Sequence, residues 1–399
     1  MRVLVSGASI AGPVVAYWLV RYGFEVTVVE RAQRLRKAGG HAVDLFTPAI
    51  DISERMGVLD EIQAKATGID RMVVHRPGSA RPVGVDIGKV FTAISDRHVE
   101  VMRDELSEIY YRAARDDVEY VFGDSITAID PDGTVAFERG APRRFDIVIG
   151  ADGLHSNVRS LVFGPEKDFT DFIGAYLAVL SMPGRHADPG VFTGHFRPDR
   201  VVGVYGDRHG GDARAVFLFR SDPLEYHYRD TDRQKALLRA AFAGMDPMVD
   251  GWLGELDAGG AFYFDSITQL RMDTWSRGRV TLVGDAGYCP GPAVGGSTSL
   301  AVLGAYTLAG ELAAAGGDPE RAFPAYERAM ADPVRASRAF ARGAARSLVP
   351  TSRFGVWALV NGSRLVAALP TPIARALARL NTKGVRLHDT MEVKDFSGV

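Results

Sequence analysis

Two acids in this sequence stand where they could grip the hydroxyls of a nucleotide. Glu30 closes the β-prone run Glu25 to Val29, about twenty residues after the glycine turn Gly7-Ala8-Ser9-Ile10-Ala11-Gly12. Asp285 directly follows the apolar run Gly278 to Gly284. A carboxylate at a strand end accepts hydrogen bonds from sugar hydroxyls, and a glycine turn that opens a helix aims unpaired N–H groups at a pyrophosphate. Gly7 permits the tight turn, and Gly12 lets helix and strand pack closely. The middle position, where backbone normally lies nearest the phosphates, is Ser9; its Cβ takes room, but its hydroxyl can donate to a phosphate oxygen. Ile10 and Ala11 complete the turn.

A third acid, Asp152, ends the continuous apolar run Asp146 to Ala151 and leads into Gly153, Ser156 and Arg159. Such a run is of the kind buried on both faces of a sheet. Arg103 opens a predicted helix, Met102 to Ala114, where the dipole disfavours a cation; it either answers a charged partner elsewhere or pairs locally. The basic loop Arg31 to Gly40 either reaches an adenine or phosphate or is solvated. A single cysteine, Cys289, excludes an intrachain disulfide and a thiolate metal cluster, and the histidines are scattered, so no metal is expected. Cys289 itself reads as a small buried apolar residue.

The elements that must hold these residues follow from periodicity. Arg2 to Ser6 is a strand, the glycine turn opens a helix through Arg21, and a second strand ends on Glu30: the dinucleotide-binding order. Residues 48 to 66 read as helical with a break near Gly57, and 71 to 75 and 81 to 87 as strands joined at Pro77-Gly78. Strands follow at 118 to 122, 126 to 130 and 134 to 138. From Phe172 to Leu270 the texture changes to short alternating runs separated by Gly, Pro and Asp, with one helical insert at Asp232 to Phe242. That is the pattern of an antiparallel sheet, hence a second lobe. Thr298 to Ala315 is a long helix, and the remainder to about Leu380 reads as helices interrupted by prolines.

At 399 residues the chain exceeds one typical domain, and 46% apolar content is enough for two packed lobes. A formal net charge of −2 provides no basic surplus for nucleic acid. Pro13, the glycines, Ser6 and Ser9 interrupt Val3 to Val20 well short of a signal peptide or membrane span. Asn361, Arg364, Pro370 and Arg375 break the later apolar stretch Phe354 to Leu380, so no membrane span is expected; with a single cysteine, a reducing, cytoplasmic setting is the default.

Together the glycine turn with Glu30-Arg31, Asp152-Gly153 with Ser156 and Arg159, and Gly284-Asp285-Ala286 with Pro290, Pro292 and Gly295-Gly296 resemble the single-component FAD-dependent aromatic hydroxylases of the para-hydroxybenzoate hydroxylase fold. The likeness covers roughly residues 1 to 340 and is greatest to members that oxidise tetracyclines and related polyketides. It implies an α/β fold: a Rossmann-like FAD-binding domain (1–70, 100–170, 271–340), an inserted antiparallel substrate-binding domain (71–99, 171–270) and a C-terminal helical segment (341–399). It implies FAD held by Gly7, Ser9, Ile10, Ala11, Gly12, Glu30, Arg31, Arg103, Asp152, Gly153, Gly284, Asp285, Pro292, Gly295, Gly296, Ser297 and Thr298. NADPH or NADH would bind transiently as reductant, and O2 would supply one oxygen atom through a flavin C4a-hydroperoxide. The helix opening at Thr298, if aimed at the N1/C2 carbonyl edge, would stabilise reduced flavin. The chain departs from the family pattern at Ser9, at Tyr288, where histidine is usual, and at Ser297 and Ser299, where glycine and asparagine are.

A small aromatic or polyketide-like molecule is the expected partner, on a monomer or homodimer. The residues expected around it are Phe192, His195, Phe196, Tyr205, Phe217 and Phe219 from the sheet, with Pro290 and Gly291 along the ring; no single side chain is expected to be the catalyst. His195 is the polar member that could orient a phenol. Rival readings are a reductase, halogenase or Baeyer–Villiger oxygenase on the same fold, and a non-catalytic ligand-sequestering protein. Against the halogenase, the four tryptophans stand alone.

Overall fold

The first strand, Arg2–Ser6, is buried from Val3 onward. Such a strand belongs in the middle of a sheet covered on both sides. In the computed structural model it pairs in parallel with Glu25–Glu30 on one side and Ile147–Gly150 on the other. The six-stranded sheet runs Ser276–Arg277, Val280–Leu282, Ile147–Gly150, Arg2–Ser6, Glu25–Glu30, Glu119–Phe122, parallel except for its first edge strand. Strand order therefore reverses beside Arg2–Ser6, which opens a crevice at the carboxyl ends of the strands, the place where open α/β sheets bind ligands. The structure describes residues 1–35, 39–76, 79, 81–95, 97–206, 211–292, 296–370, 373 and 391–398, without the side chains of 91–94 and 346. The expected turn at Pro77-Gly78, Gly295, and most of the stretch from Pro370 to Leu380 lie outside the described residues.

Two helices cover the crevice. Ala11–Arg21 follows the glycine turn, and Ser297–Ala314 packs along it. The second is apolar on nearly every face and buried from Ser299 to Leu312, as befits a helix enclosed on all sides.

The second lobe is a seven-stranded sheet in the order Phe262–Leu270, Thr170–Met182, Ala213–Arg220, Arg200–Tyr205, Val191–Arg197, Arg71–His75, Val83–Asp86. All neighbours are antiparallel except Val191–Arg197 with Arg71–His75, which run parallel. That edge hairpin comes from a remote part of the chain, so no tight turn dictates its direction. Thr231–Phe242 and an unanticipated helix, Pro247–Gly254, close the sheet's back face, the latter capped by Asp246 accepting from the Met248 N–H. A two-stranded strap, Ala42–Phe46 with His98–Met102, spans the front.

The C-terminal part departs from expectation. Pro319–Leu348 is one helix that carries Pro324 and Pro333 inside it, where prolines were expected to interrupt helices. Its apolar face holds it: Ala341 and Ala345 are buried against Leu177, Val179 and Ile267 of the sheet. Tertiary packing of this kind outweighs the loss of single backbone hydrogen bonds. Arg353–Ala368 then lies across the front, its Val356 and Val360 packed on Val74, Phe196 and Val201.

Candidate cofactor and substrate site

Three distant strand ends meet around the start of the first helix. Gly7 sits at φ +106°, and a Cβ added there would lie 2.5 Å from the Ala151 carbonyl oxygen. Only glycine combines that backbone conformation with so close an approach. A Cβ on Gly12 would lie 1.9 Å from the Gly7 carbonyl oxygen, so the helix is pressed against the turn. A Cβ on Gly284 would lie 3.3 Å from that of Ala11 and 3.2 Å from that of Ala301, which brings Asp285 to the same mouth.

The acids differ in what they hold. Glu30 accepts from the Ala8 N–H at 2.9 Å and the Ala32 N–H at 2.8 Å, tying the turn to the second strand. Asp152 accepts from the Ser156 hydroxyl at 2.5 Å and from the N–H groups of Asn157 and Val158. Its carboxylate thus caps the helix Asn157–Val162, and burial holds its pKa up despite those donors. Arg159, fully buried, donates to the Ala286 carbonyl at 2.9 Å and pairs with Glu166, which fastens the segment after Asp152 to the one after Gly284. Asp285 is half-buried; burial raises its pKa, opposed by the charge of Arg103 and a hydrogen bond with the Cys289 thiol. Arg103 also lies 3.5 Å from the Ser9 hydroxyl, so it answers charged and polar groups across the mouth.

The helix Ala11–Arg21 has no side chain capping its first turn at Ile10, and Ser297–Ala314 has none at Gly296, which sits at φ +81°. Unfilled amides at two helix starts, two half-engaged acids and a cation between them fit a long, anionic, hydroxyl-bearing cofactor such as FAD. Arg31 is exposed beside Glu30, Gly153 takes φ +81°, and Pro292 is half-buried at the edge of the described segment.

A cavity of about 400 Å³ lies between the front of the seven-stranded sheet, the strap, the helix Arg353–Ala368 and the start of Ser297–Ala314. Phe192, Phe196, Tyr205, Gly296, Ser297 and Thr298 line it. The Tyr205 hydroxyl accepts from the Ala42 N–H at 2.8 Å, pinning the strap to the sheet. The Phe192 ring lies over Gly203, where a Cβ would be 1.9 Å from its Cζ.

His195, Phe217 and Phe219 are not in this cavity, contrary to expectation. Side chains alternate across a strand, and these three point to the back. Phe217 and Phe219 pack edge-on against Phe242, at centroid distances of 5.0 and 5.8 Å. His195 stacks on His75 at 4.5 Å and lies 3.3 Å from Asp246. Burial lowers its pKa to about 4, against the pull of Asp246, so it is a neutral packing residue. Pro290 and Gly291 are buried outside the cavity wall, the Pro290 carbonyl accepting from Gln269 at 2.8 Å. Tyr288 points into the core, where Tyr326 donates to its hydroxyl at 3.0 Å and that hydroxyl would lie 1.9 Å from a Cβ on Gly304. Cys289 is buried, and burial raises its thiol well above the ordinary range.

Sequence reasoning missed Met72, Val201, Val216, Leu218, Leu359 and Val360 in the wall, and the acids Asp44 and Glu100. One signal was available: Gly194 and Gly203, glycines inside strands, mark where rings lie close over a sheet. Among the described residues no group of three or more His, Cys, Asp or Glu could hold a metal ion, and no helix is long and apolar enough to cross a membrane.

The FAD binding domain family matches residues 1–329. An uncharacterized Mycobacterium tuberculosis protein is 45% identical over 333 residues, 81% of this chain and 88% of its own. A flavin-dependent monooxygenase of Legionella longbeachae is 36% identical over 343 residues, 85% of this chain and 87% of its own. The crystal structure of tetracycline destructase Tet(51) superposes with a TM-score of 0.82 at 31% identity, covering 99% of both chains.

Proposed function

This chain belongs to the FAD-dependent aromatic hydroxylase family of monooxygenases, and from that membership we propose that it oxygenates a fused-ring aromatic or polyketide-like molecule, with NADPH or NADH as reductant and O2 as the oxygen source. The observation that carries the reading is the meeting of Gly7, Ala151 and Gly284 at one mouth, opening toward an apolar cavity of about 400 Å³. That volume lies within the roughly 300–1,000 Å³ of small-molecule sites. The likeness to a tetracycline destructase supports a polycyclic substrate.

Bound FAD would supply the redox and oxygen-transfer chemistry. Gly7 and Gly12 would let the first turn approach its pyrophosphate, Glu30 and Asp285 would accept hydrogen bonds from its ribose and ribityl hydroxyls, and Arg103 would balance phosphate or ring charge at the mouth. The amides at Ser297 and Thr298 favour negative charge on whatever faces them. Phe192, Phe196, Val216 and Leu218 would exclude water from the reacting centre, which limits loss of the oxygen as hydrogen peroxide.

The test is to purify the protein, record its visible spectrum for flavin, and follow NADPH and NADH oxidation with a panel of phenols and polycyclic ketones, analysing products by mass. Substrate-stimulated oxidation with gain of one oxygen is expected. Oxidation without an oxygenated product would favour the reductase alternative, and a colourless protein that takes up no FAD would overturn the reading.

A further inference from the structure

The cavity wall is chemically lopsided. Around most of its circumference it is carbon: Ile69, Met72, Phe192, Phe196, Val216 and Leu218. Its acids are gathered at one end, where the strap presents Asp44 and Glu100. These two are register partners, directly opposite each other on the antiparallel pair Ala42–Phe46 with His98–Met102. Like charges in that relation destabilise a sheet, so the pair costs the strap stability.

Their partners leave room for a ligand. His98 Nε2 lies 2.7 Å from one Asp44 oxygen, and the Thr67 hydroxyl donates to Glu100 Oε2. Among the described residues Glu100 Oε1 has no hydrogen-bond partner. Among the described residues no lysine or arginine lines the cavity. Arg214, on the neighbouring sheet, is turned to the Gly40 carbonyl and to Asp104. His41, also in the wall, has its pKa lowered to about 4 by burial and by the Arg103 charge, so it brings no cation.

We propose that this end orients the substrate: Glu100 accepts a hydrogen bond from a phenolic or enolic hydroxyl of a fused-ring ligand, and the Asp44–Glu100 pair repels aromatic carboxylates. The inference rests on the cavity being the substrate site of the proposed monooxygenase. An apolar box fixes ring position but not rotation; one acceptor at one end fixes which edge of the ring system enters first. A site built to bond a hydroxyl also discriminates, because an unmatched ligand leaves the acceptor unpaired. The groups facing Glu100 are Asp44 and His98 on the strap, Thr67 before it, and Tyr205 on the sheet. Burial and then the Asp44 charge push its pKa up to about 7, so the acceptor and the repulsion of carboxylates are at full strength only above that pH, where the titrations are run.

The test reads binding, with the product analysis described for the proposed function run beside it. The full chain loaded with FAD is titrated by equilibrium dialysis with 2-naphthol and with 2-naphthoate, in wild type, Glu100→Gln and Asp44→Asn. Wild type is expected to hold naphthol at least about tenfold more tightly than naphthoate, and Glu100→Gln to shrink that ratio about tenfold, Asp44→Asn less so. Visible spectra and thermal shifts check that each variant keeps its flavin and fold; if one does not, the wild-type ratio and the other variant decide. Equal wild-type binding of the two compounds, binding of neither, or an unchanged ratio in the folded variants would overturn the proposal. Discrimination without oxygenation of naphthol or of any phenol or polycyclic ketone of the panel would overturn the monooxygenase reading and leave only the hydroxyl-binding role of Glu100, whereas tight binding and oxygenation of naphthoate would overturn this proposal and leave the monooxygenase reading.

Discussion

The two faces of the seven-stranded sheet are built from the same strands and nearly the same apolar residue types, yet they do opposite things. On the back, Phe217, Phe219, Tyr176 and Phe264 interlock with Phe242 and Trp252 of two short helices until nothing is left open. On the front, Phe192, Phe196 and Tyr205 face a strap and a crossing helix that stand off far enough to leave about 400 Å³. Residue type does not separate a core from a binding site here; what separates them is whether the covering element lies down on the sheet or bridges over it. Aromatic rings on the back contribute stability, and those on the front contribute a surface.

This contrast is breakable by substitution. Phe217→Ala removes a fully buried ring from the closed face, and a loss of about 3–5 kcal/mol in denaturant-measured stability is expected, with flavin affinity unchanged in the protein that stays folded. A loss below 1 kcal/mol would mean that the back is as loosely packed as the front.

His195 gives the same face a pH signature. Its pKa falls from 6.5 in the unfolded chain to about 4 when folded, so the unfolded state binds the extra proton first. Stability is therefore complete above about pH 6.5 and declines as pH falls toward 4, by up to about 3 kcal/mol. His195→Gln should flatten that part of the acid limb; urea titrations at several pH values read it.

On the open face the effects move from stability to binding. Gly203→Ala would push the Phe192 ring off the sheet and into the cavity, and roughly tenfold weaker binding of polycyclic ligands is expected while melting temperature stays nearly fixed. Smallest of all, Tyr205→Phe removes the acceptor for the Ala42 N–H, and a stability loss of about 1 kcal/mol is expected, accompanied by faster hydrogen exchange at Ala42 in the strap.

How far the molecule was legible in its sequence follows from how local each signal is. The glycine turn, Glu30 and Gly284-Asp285 are short-range patterns whose chemistry is set by backbone shape, and they located the parallel sheet and its crevice in advance. Face assignment in the second lobe was not local. In Ala213–Arg220 one parity carries Val216 and Leu218 and the other Phe217 and Phe219, so both faces read as apolar and alternation named no winner. Only the covering elements decide, and these come from far along the chain. The same holds for Asp44 and Glu100, which look like ordinary strand acids until the strap sets them side by side, and for Pro324 and Pro333, whose helix persists because the sheet beneath it holds it.

Tyr288 and Gly304 are joined in another way. The phenol occupies the volume that any side chain at 304 would need, so over evolutionary time neither site is free to drift alone. A lineage that replaced the tyrosine with a smaller ring would inherit a void, and one that first enlarged residue 304 would inherit a clash. The two positions therefore constrain each other: the ring and the missing side chain claim one volume.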